Sequence, residues 1–161
     1  MNKKATKPQH YISHGRVTEN RRARFDYEIL SHLTAGMVLK GSEVKALRLG
    51  RCNLSDSYAG LKNGEIYLFN ASISGFDMAR QKHEEKAHRK LLLTKQEQKR
   101  LIGAVKRDGL TLVPLEIFFS ARGFAKVKLA LAKGKGEIDK RETIKAREWK
   151  KQQGRALRRK S

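Results

Sequence analysis

Residues 110–131 have the sequence LTLVPLEIFFSARGFAKVKLAL, which predicts two β-strands joined by a turn. The first strand covers 110–119 and the second covers 124–131. Side chains alternate between the two faces of a strand. The second strand therefore has an apolar face and a face that carries Lys126 and Lys128. This segment predicts a hairpin that is buried on one side and basic on the other.

The chain before this hairpin also favours β-structure. The dipeptide Asn63-Gly64 lies between two strand-like runs and predicts a type I′ turn. Pro114 places the 110–119 strand at a sheet edge or at a bulge. Further strands are expected at 12–18, 37–49 and 71–76.

Two helices interrupt the strands. The apolar positions 25, 29, 30 and 33 have helical spacing and predict a helix over 25–33. Thr94 and Glu97 form a capping box that starts a second helix, which ends at Asp108. Together the elements predict a mainly β protein, an OB-fold-like small β-barrel with about three helices and a basic C-terminal tail. Barrels of this kind commonly bind oligonucleotides.

The charge is concentrated at the two ends of the 161-residue chain, whose net charge is +21. Residues 1–24 carry a net charge of +6 and residues 133–161 carry +8. We predict a disordered basic N-terminus at 1–11, a barrel at 12–132 and a basic tail at 133–161, which is disordered alone and becomes helical on its partner. So large an excess of positive charge points to a polyanion, with nucleic acid the first candidate.

Other classes of function have weaker support. No run is apolar enough for a membrane span, and no secretory signal is visible, so we expect a cytoplasmic protein that does not bind membranes. His83 and His88 are five residues apart, whereas a zinc-protease helix needs four, and we expect a solvated loop with no metal or cofactor. Cys52 is expected to be structural. No pair of acids marks a catalytic site, so we expect no enzyme. A structural ribosomal protein and an RNA-processing nuclease remain alternatives.

The residues that suit RNA lie in three places. Asn20, Arg21, Arg22 and Arg24 offer an amide and three guanidinium groups within five residues, followed by Tyr27, which can stack on a base. Glu43 and Lys45 are expected on one face of a strand. Lys126 and Lys128 form a basic stripe. We predict that these residues contact RNA.

These segments resemble the SsrA-binding protein family, small protein B. The similarity begins with NRRAR at 20–24, YEI at 27–29 and GSEVKALR at 41–48. It continues, in the family's order and spacing, through NLSDSY at 53–58, RKLLL at 89–93, GLTLVPL at 109–115, LAKGK at 131–135 and DKR at 139–141. The resemblance covers roughly residues 12–160.

The resemblance implies an OB-type barrel and a role in trans-translation. Such an adaptor binds the tRNA-like domain of transfer-messenger RNA (SsrA) and brings it to stalled bacterial ribosomes. Its tail probes the empty mRNA channel near the decoding centre, the nascent chain is tagged for degradation and the ribosome is released. The resemblance also implies elongation factor Tu in the same complex. We expect the protein to be a monomer.

The resemblance also assigns residues to this role. It adds Lys133, Gly134 and Lys135 to the RNA-binding set, and it implies a ribosome-binding tail formed by Asp139, Lys140, Arg141, Arg147, Trp149 and Lys150. Three positions depart from the family pattern. Phe25 stands where His is usual, Thr34 where an acid is common, and Gly136 where a second Lys is frequent.

Overall fold

The structure, a computed structural model, describes residues 11–75 and 83–159. Four helices lie in this part of the chain: α1 (Ala23–Asp26), α2 (Gly41–Arg48), α3 (Lys95–Asp108) and α4 (Glu137–Arg159). The strands there are β1 (Gly15–Glu19), β2 (Tyr27–Met37), β3 (Cys52–Asn53), β4 (Tyr58–Lys62), β5 (Glu65–Phe69), β6 (Ser72–Ile73), β7 (Arg89–Leu92), β8 (Thr111–Phe119) and β9 (Ala125–Gly134). The predicted mainly β architecture with helices is confirmed.

Seven strands form one antiparallel sheet in the order β1-β8-β4-β5-β7-β2-β9, and β8 also pairs with β9. Because β9 returns to β8, the pairings of six strands close into a ring. β1 lies outside the ring and, among the described strands, pairs with β8 alone. An edge strand is therefore present where one was expected at 12–18, but it spans Gly15–Glu19. β3 and β6 form a separate ladder. The ring gives the sheet an inner face and an outer face.

The inner face holds the main hydrophobic core. Val127, Leu129 and Leu131 of β9 point into it, as the alternation predicts. Leu47 of α2 and Leu101 of α3 pack into the same cluster, so these two helices cover the core. A smaller apolar cluster lies under α1 and contains Ala23, Val113, Leu115, Ala130 and Ala132. The C-terminal half of β9 is therefore covered on both faces, by the main core and by the cluster under α1. Its N-terminal half is covered on the inner face only, and its outer face carries Lys126 and Lys128.

Three local predictions are confirmed. Asn63 and Gly64 have φ angles of 51° and 75° between β4 and β5, as a type I′ turn requires. Thr94 Oγ1 accepts from the Glu97 amide and the Glu97 carboxylate accepts from the Thr94 amide, which is the predicted capping box of α3. The pairing of β8 with β9 shifts register after Pro114, which places the proline at a bulge.

The helix predicted over 25–33 is wrong. Only Ala23–Asp26 is helical, and β2 begins at Tyr27. The register against β9 shifts between Ile29 and Ser31, so Leu30 is an extra residue in the strand. The bulge interrupts the alternation of side chains. It leaves apolar residues at a spacing that imitates a helix.

The strand predicted over 37–49 is also wrong, because Gly41–Arg48 forms α2. The helix begins after Lys40, which is not a residue type that marks a helix start. Glu43 supplies the missing cap, since its carboxylate accepts the Lys40 amide at 3.2 Å. Ala46 and Leu47 are fully buried and fix the helix against the core.

Parts of two predicted segments lie outside the described residues. Of the strand expected at 71–76, the structure shows Ser72–Ile73 as β6, and residue 76 is outside. Of the N-terminal segment at 1–11, only Tyr11 is described. The tail contains α4, a helix of 23 residues. Its disorder in the free protein stays a prediction.

Candidate nucleic-acid interface

Lys126 and Lys128 lie on the outer face of β9, opposite the buried side of the strand. Their cross-strand neighbours are Gly36 and Phe118 for Lys126, and Thr34 and Glu116 for Lys128. Glu116 is already paired, because Arg16 Nε lies 2.9 Å from its carboxylate. Neither lysine ammonium has a hydrogen-bond or ion-pair partner among the described residues. Both charges are available to a phosphate.

An exposed apolar side chain borders these lysines. Leu92 of β7 is 52% exposed and stands beside Gly36, its partner in β2. A Cβ atom on Gly36 would come within 3.2 Å of the Leu92 Cβ, so the glycine makes room for Leu92. The lysine face, which we define as Lys126, Lys128, Gly36 and Leu92, is thus basic and partly apolar. Sequence reasoning missed Leu92, because a single Leu in a buried-looking run carries no signal of exposure.

The second group of predicted residues surrounds α1. Arg21, Arg22 and Arg24 are exposed. Among the described residues, only Arg22 of these three has an acidic neighbour, with 3.8 Å between its Nε and Asp26 Oδ2. Tyr27 follows α1 and is half-buried against the small apolar cluster. Three guanidinium groups therefore project from α1 and the turn before it, and we call Arg21, Arg22 and Arg24 the α1 arginines.

Asn20 differs from its neighbours because it is buried, with 7% exposure. Its Nδ2 donates to the Pro114 carbonyl at 3.1 Å, which fixes the orientation of the amide. Its Oδ1 has no hydrogen-bond partner among the described residues. The residue lines a cleft of about 260 Å³ between α1, β4 and β8.

The end of β9 connects α1 to the tail. Lys133 and Gly134 are exposed and pair with Glu28 and Tyr27 of β2. Lys135 crosses to α1, since its amide donates to Asp26 O at 3.0 Å and its Nζ donates to Arg24 O at 3.0 Å. The structure therefore brings Lys133, Gly134 and Lys135 next to the α1 arginines.

The predicted tail residues lie on α4. Lys140 Nζ is 3.4 Å from Asp26 Oδ1 and 5.9 Å from the centre of the Phe25 ring, and the Arg147 guanidinium is 5.8 Å from the same ring. Arg141, Trp149 and Lys150 are exposed. Asp139 is in the first turn of α4, and its side chain lies outside the described part. The start of α4 is thus docked on α1 through cations.

The predicted placement of Glu43 and Lys45 on one strand face is wrong. Both residues lie on α2, where positions two apart point in different directions. Lys45 is exposed, but Glu43 is buried and forms an ion pair with Arg89. In that position the Glu43 carboxylate connects α2 to Arg89. The contact of Glu43 and Lys45 with RNA stays a prediction.

His83 is buried, contrary to the solvated loop expected around it. Its Nε2 faces the Ile73 carbonyl at 2.9 Å and must donate to it, so in the neutral ring Nδ1 accepts from Ser42 Oγ at 2.8 Å. Burial raises the pKa of the Cys52 thiol to about 12, although the charge of Arg89 acts in the opposite direction. Cys52 is therefore a neutral structural residue. His88, in contrast, is exposed.

The described surface presents exposed arginines and half-buried lysines, which suit an anion. In residues 11–75 and 83–159 no three His, Cys, Asp or Glu side chains are grouped so that they could hold a metal ion. Within the same part of the chain, no helix has the length and apolar character that crossing a membrane requires. A closed antiparallel sheet with a free lysine face, an arginine-rich turn and a basic helix defines a class of protein, a basic β-sheet protein whose surface fits a polyanion.

The chain belongs to the SmpB protein family, whose model matches residues 17–159. It is 55% identical to the SsrA-binding protein of Rhodospirillum rubrum, over 91% of this chain and 93% of that protein. It is 48% identical to the SsrA-binding protein of Bartonella henselae, over 99% of both. A chain of the solved structure described as "tmRNA-SmpB: a journey to the center of the bacterial ribosome" is 47% identical. The matched region covers 79% of this chain and 93% of that solved chain, and the TM-score is 0.63.

Proposed function

We propose that this protein is the RNA-binding adaptor of trans-translation. It binds the tRNA-like domain of transfer-messenger RNA (SsrA), brings it to stalled bacterial ribosomes and allows the nascent chain to be tagged for degradation. The observation that carries the proposal is the match to the SmpB family over nearly the whole chain, including relatives called SsrA-binding protein. The unpartnered lysines on the outer face of the sheet are consistent with it.

We assign the tRNA-like domain to the lysine face and the α1 arginines. Lys126 and Lys128 bind phosphates, and Arg21, Arg22 and Arg24 grip the backbone or stack on bases. Lys133, Gly134 and Lys135 extend this surface toward the tail. Six strands paired in a ring support an OB-like barrel as its scaffold.

The tail acts as the sensor of an empty mRNA channel. α4 carries Arg141, Trp149 and Lys150 on its exposed surface, and Trp149 is 61% exposed. An exposed basic helix can enter a channel lined by ribosomal RNA only where no message occupies it, because the message excludes it by volume and by charge. If the tail folds only when it binds, its helix is stable only inside an empty channel, so binding of the tail depends on the absence of a message.

The rest of the proposal concerns the complex as a whole. The protein works as a cytoplasmic monomer, without enzymatic activity and without a cofactor of its own. Elongation factor Tu delivers the charged RNA in the same complex. The chemistry of peptide transfer belongs to the ribosome, while the adaptor supplies shape and charge.

The proposal is tested by binding of the pure protein to the tRNA-like domain, with an excess of ordinary tRNA as competitor and with the salt concentration varied. We expect binding to survive competition at moderate salt. An affinity that comes from phosphate contacts alone falls steeply as ionic strength rises, and it discriminates poorly between one RNA and another. Equal displacement by ordinary tRNA would identify a general polycation and contradict the proposal.

The sensor role has its own test. A chain that ends at residue 132 should keep much of its affinity for the tRNA-like domain and lose tagging in a reconstituted translation system. Full tagging by that truncated chain would exclude the role of the tail.

A further inference from the structure

The outer face of β4, β5 and β7 carries aromatic side chains in mutual contact. Tyr58 lies directly opposite Phe69, with ring centres 5.2 Å apart and ring planes 19° apart. Phe69 meets the ring of His88 at 4.6 Å and 67°. We call these three residues the aromatic strip. Each ring supports the next one, so Tyr58 is held in place while 45% of it remains exposed.

The opposite faces of the same strands show that the strip is not core. Ala59, Ile66 and Leu68 point inward and are buried. Gly60 lies beside the Phe69 ring, and a Cβ atom there would be in ordinary van der Waals contact with the ring at 3.4 Å. The side chains around the Asn63-Gly64 turn therefore alternate between an apolar inner set and an aromatic outer set.

Cations border the strip. Lys62 Nζ lies 5.2 Å from the centre of the Tyr67 ring and 3.2 Å from His88 Nδ1. Lys90, opposite Tyr67, is paired with Glu65, and the hydrogen bond to Glu65 raises the Lys90 pKa. Aromatic rings flanked by lysines are the combination that binds unpaired nucleotides, by stacking on bases and by attraction of phosphates.

A second observation adjoins the first. Tyr58 also lines the cleft that contains Asn20, whose lining further includes Arg22, Tyr27 and the acids Asp26 and Asp56. The Asn20 Oδ1 is a buried acceptor that finds no donor among the described residues. An unpaired buried acceptor is costly, and a ligand that donates to it recovers that cost. An exocyclic amino group of a nucleobase is such a donor.

We propose that an unpaired RNA segment binds along the aromatic strip, with one base on Tyr58 and its amino group donating to Asn20 Oδ1. The inference rests on the proposed RNA-binding function and adds a second contact surface to it. The ligand is single-stranded, because the bases of a duplex are stacked on each other and their faces cannot reach a protein ring. The net charge of +21 and the flanking lysines favour RNA over an apolar peptide.

The first arm of the test measures stacking in the full chain. Binding of a short fluorescein-labelled oligoadenylate is followed by anisotropy at moderate salt, with and without the substitution Tyr58→Ala. We expect Tyr58→Ala to weaken binding by about 5- to 100-fold, as for the loss of a stacking partner, and Tyr58→Phe to retain it. Phe124→Ala is the control, since Phe124 is an exposed aromatic residue, 63% against 45% for Tyr58, in the turn between β8 and β9. Equal affinities for Tyr58→Ala and Phe124→Ala would overturn the proposal.

The second arm needs no change in the protein. The wild-type chain should bind the oligoadenylate several-fold more tightly than the matching oligomer of purine riboside, which lacks the amino group. Asn20→Ala should remove this preference, and thermal unfolding shows whether that variant is folded. If the wild-type chain binds both oligomers equally, or neither of them, the proposal fails.

A third arm separates this surface from the lysine face. The double variant Lys126→Ala, Lys128→Ala should lose affinity for the tRNA-like domain and keep the oligoadenylate affinity. Loss of both together would show one common polycationic surface and would overturn the second site. Failure of the proposed function itself would show differently, as equal displacement of the tRNA-like domain by ordinary tRNA from the wild-type chain.

Discussion

The Nε atom of Arg89 lies 3.3 Å from Oε1 of Glu43, and the two side chains are 2% and 4% exposed. The remaining guanidinium nitrogens donate to four backbone carbonyls, those of Ala71, Glu84, Glu85 and Ala87. The ion pair joins α2 to the start of β7. The mutual attraction of the two charges and the carbonyl groups around Arg89 offset their burial, although Arg89 Nε itself makes no hydrogen bond to the described residues.

Removal of one member of this pair should destabilise the protein strongly. Arg89→Met leaves the Glu43 carboxylate buried without a counter-ion, and Glu43→Gln does the same to Arg89. We expect each to lower the free energy of unfolding by about 3–5 kcal/mol, measured by urea denaturation. Lys90→Met is the control, because its ion pair with Glu65 is largely exposed and contributes little. A cost for Arg89→Met no larger than that of Lys90→Met would contradict the assigned role.

The free energy of unfolding should fall at alkaline pH because the Cys52 thiol is buried. The unfolded thiol has a pKa near 9.0, whereas the folded thiol stays protonated to about pH 12. Between these values the unfolded state releases a proton that the folded state keeps, so the stability falls as pH rises, by about 1.4 kcal/mol per pH unit at most. Below pH 9 this contribution does not change.

The measurement compares urea denaturation of the wild type and of Cys52→Ala at neutral pH and near pH 11. The wild type should lose more stability over this range than the variant, which has no thiol to ionise. Parallel losses in the two proteins would show that Cys52 is not the group responsible.

Loss of Lys126 and Lys128 should reduce the salt dependence of RNA binding. Each phosphate contact releases counter-ions, so the slope of log affinity against log salt should become shallower by about one to two units when both lysines are replaced by Ala. Lys95→Ala with Lys99→Ala removes the same charge from α3, away from the lysine face. An equal change of slope in the two double variants would mean that only net charge matters.

Phe25 should hold the first turns of α4. Lys140 and Arg147 lie over its ring, and each exposed cation–π contact contributes about 0.5–1 kcal/mol. Phe25→Ala should therefore increase amide hydrogen exchange over 140–147 several-fold, and Phe124→Ala should not. If these amides exchange at random-coil rates already in the wild type, the helix is undocked in the free protein and the contact forms only on a partner.

The predictions that succeeded depend on a few neighbouring residues. The Asn63-Gly64 turn needs two positive φ angles, and the capping box needs Thr94 and Glu97 three residues apart. Alternation along 124–131 places Lys126 and Lys128 opposite the core without reference to any other strand. Each of these patterns depends only on residues within one turn, helix end or strand, so it can be read from the sequence without knowledge of the fold.

The failures depend on residues far apart in the chain. The extra residue Leu30 is tolerated because β9 continues the pairing on both sides of it, and the helical spacing that it creates is accidental. α2 lacks a usual start signal and is fixed by burial of Ala46 and Leu47. His83 looked like a loop residue, but its bonds to Ser42 and Ile73 place it in the interior.

The sequence by itself determined the basic character of this protein, its hairpins, its capped helix and its family. Composition and short-range patterns carry these properties, because they require only the conformational preferences of nearby residues. The tertiary structure alone decided that β2 pairs with β9 and completes the ring, that Glu43 faces Arg89 instead of solvent, and that Asn20 shares a cleft with Tyr58. These relationships join residues tens of positions apart, and burial of the common core is what brings them together.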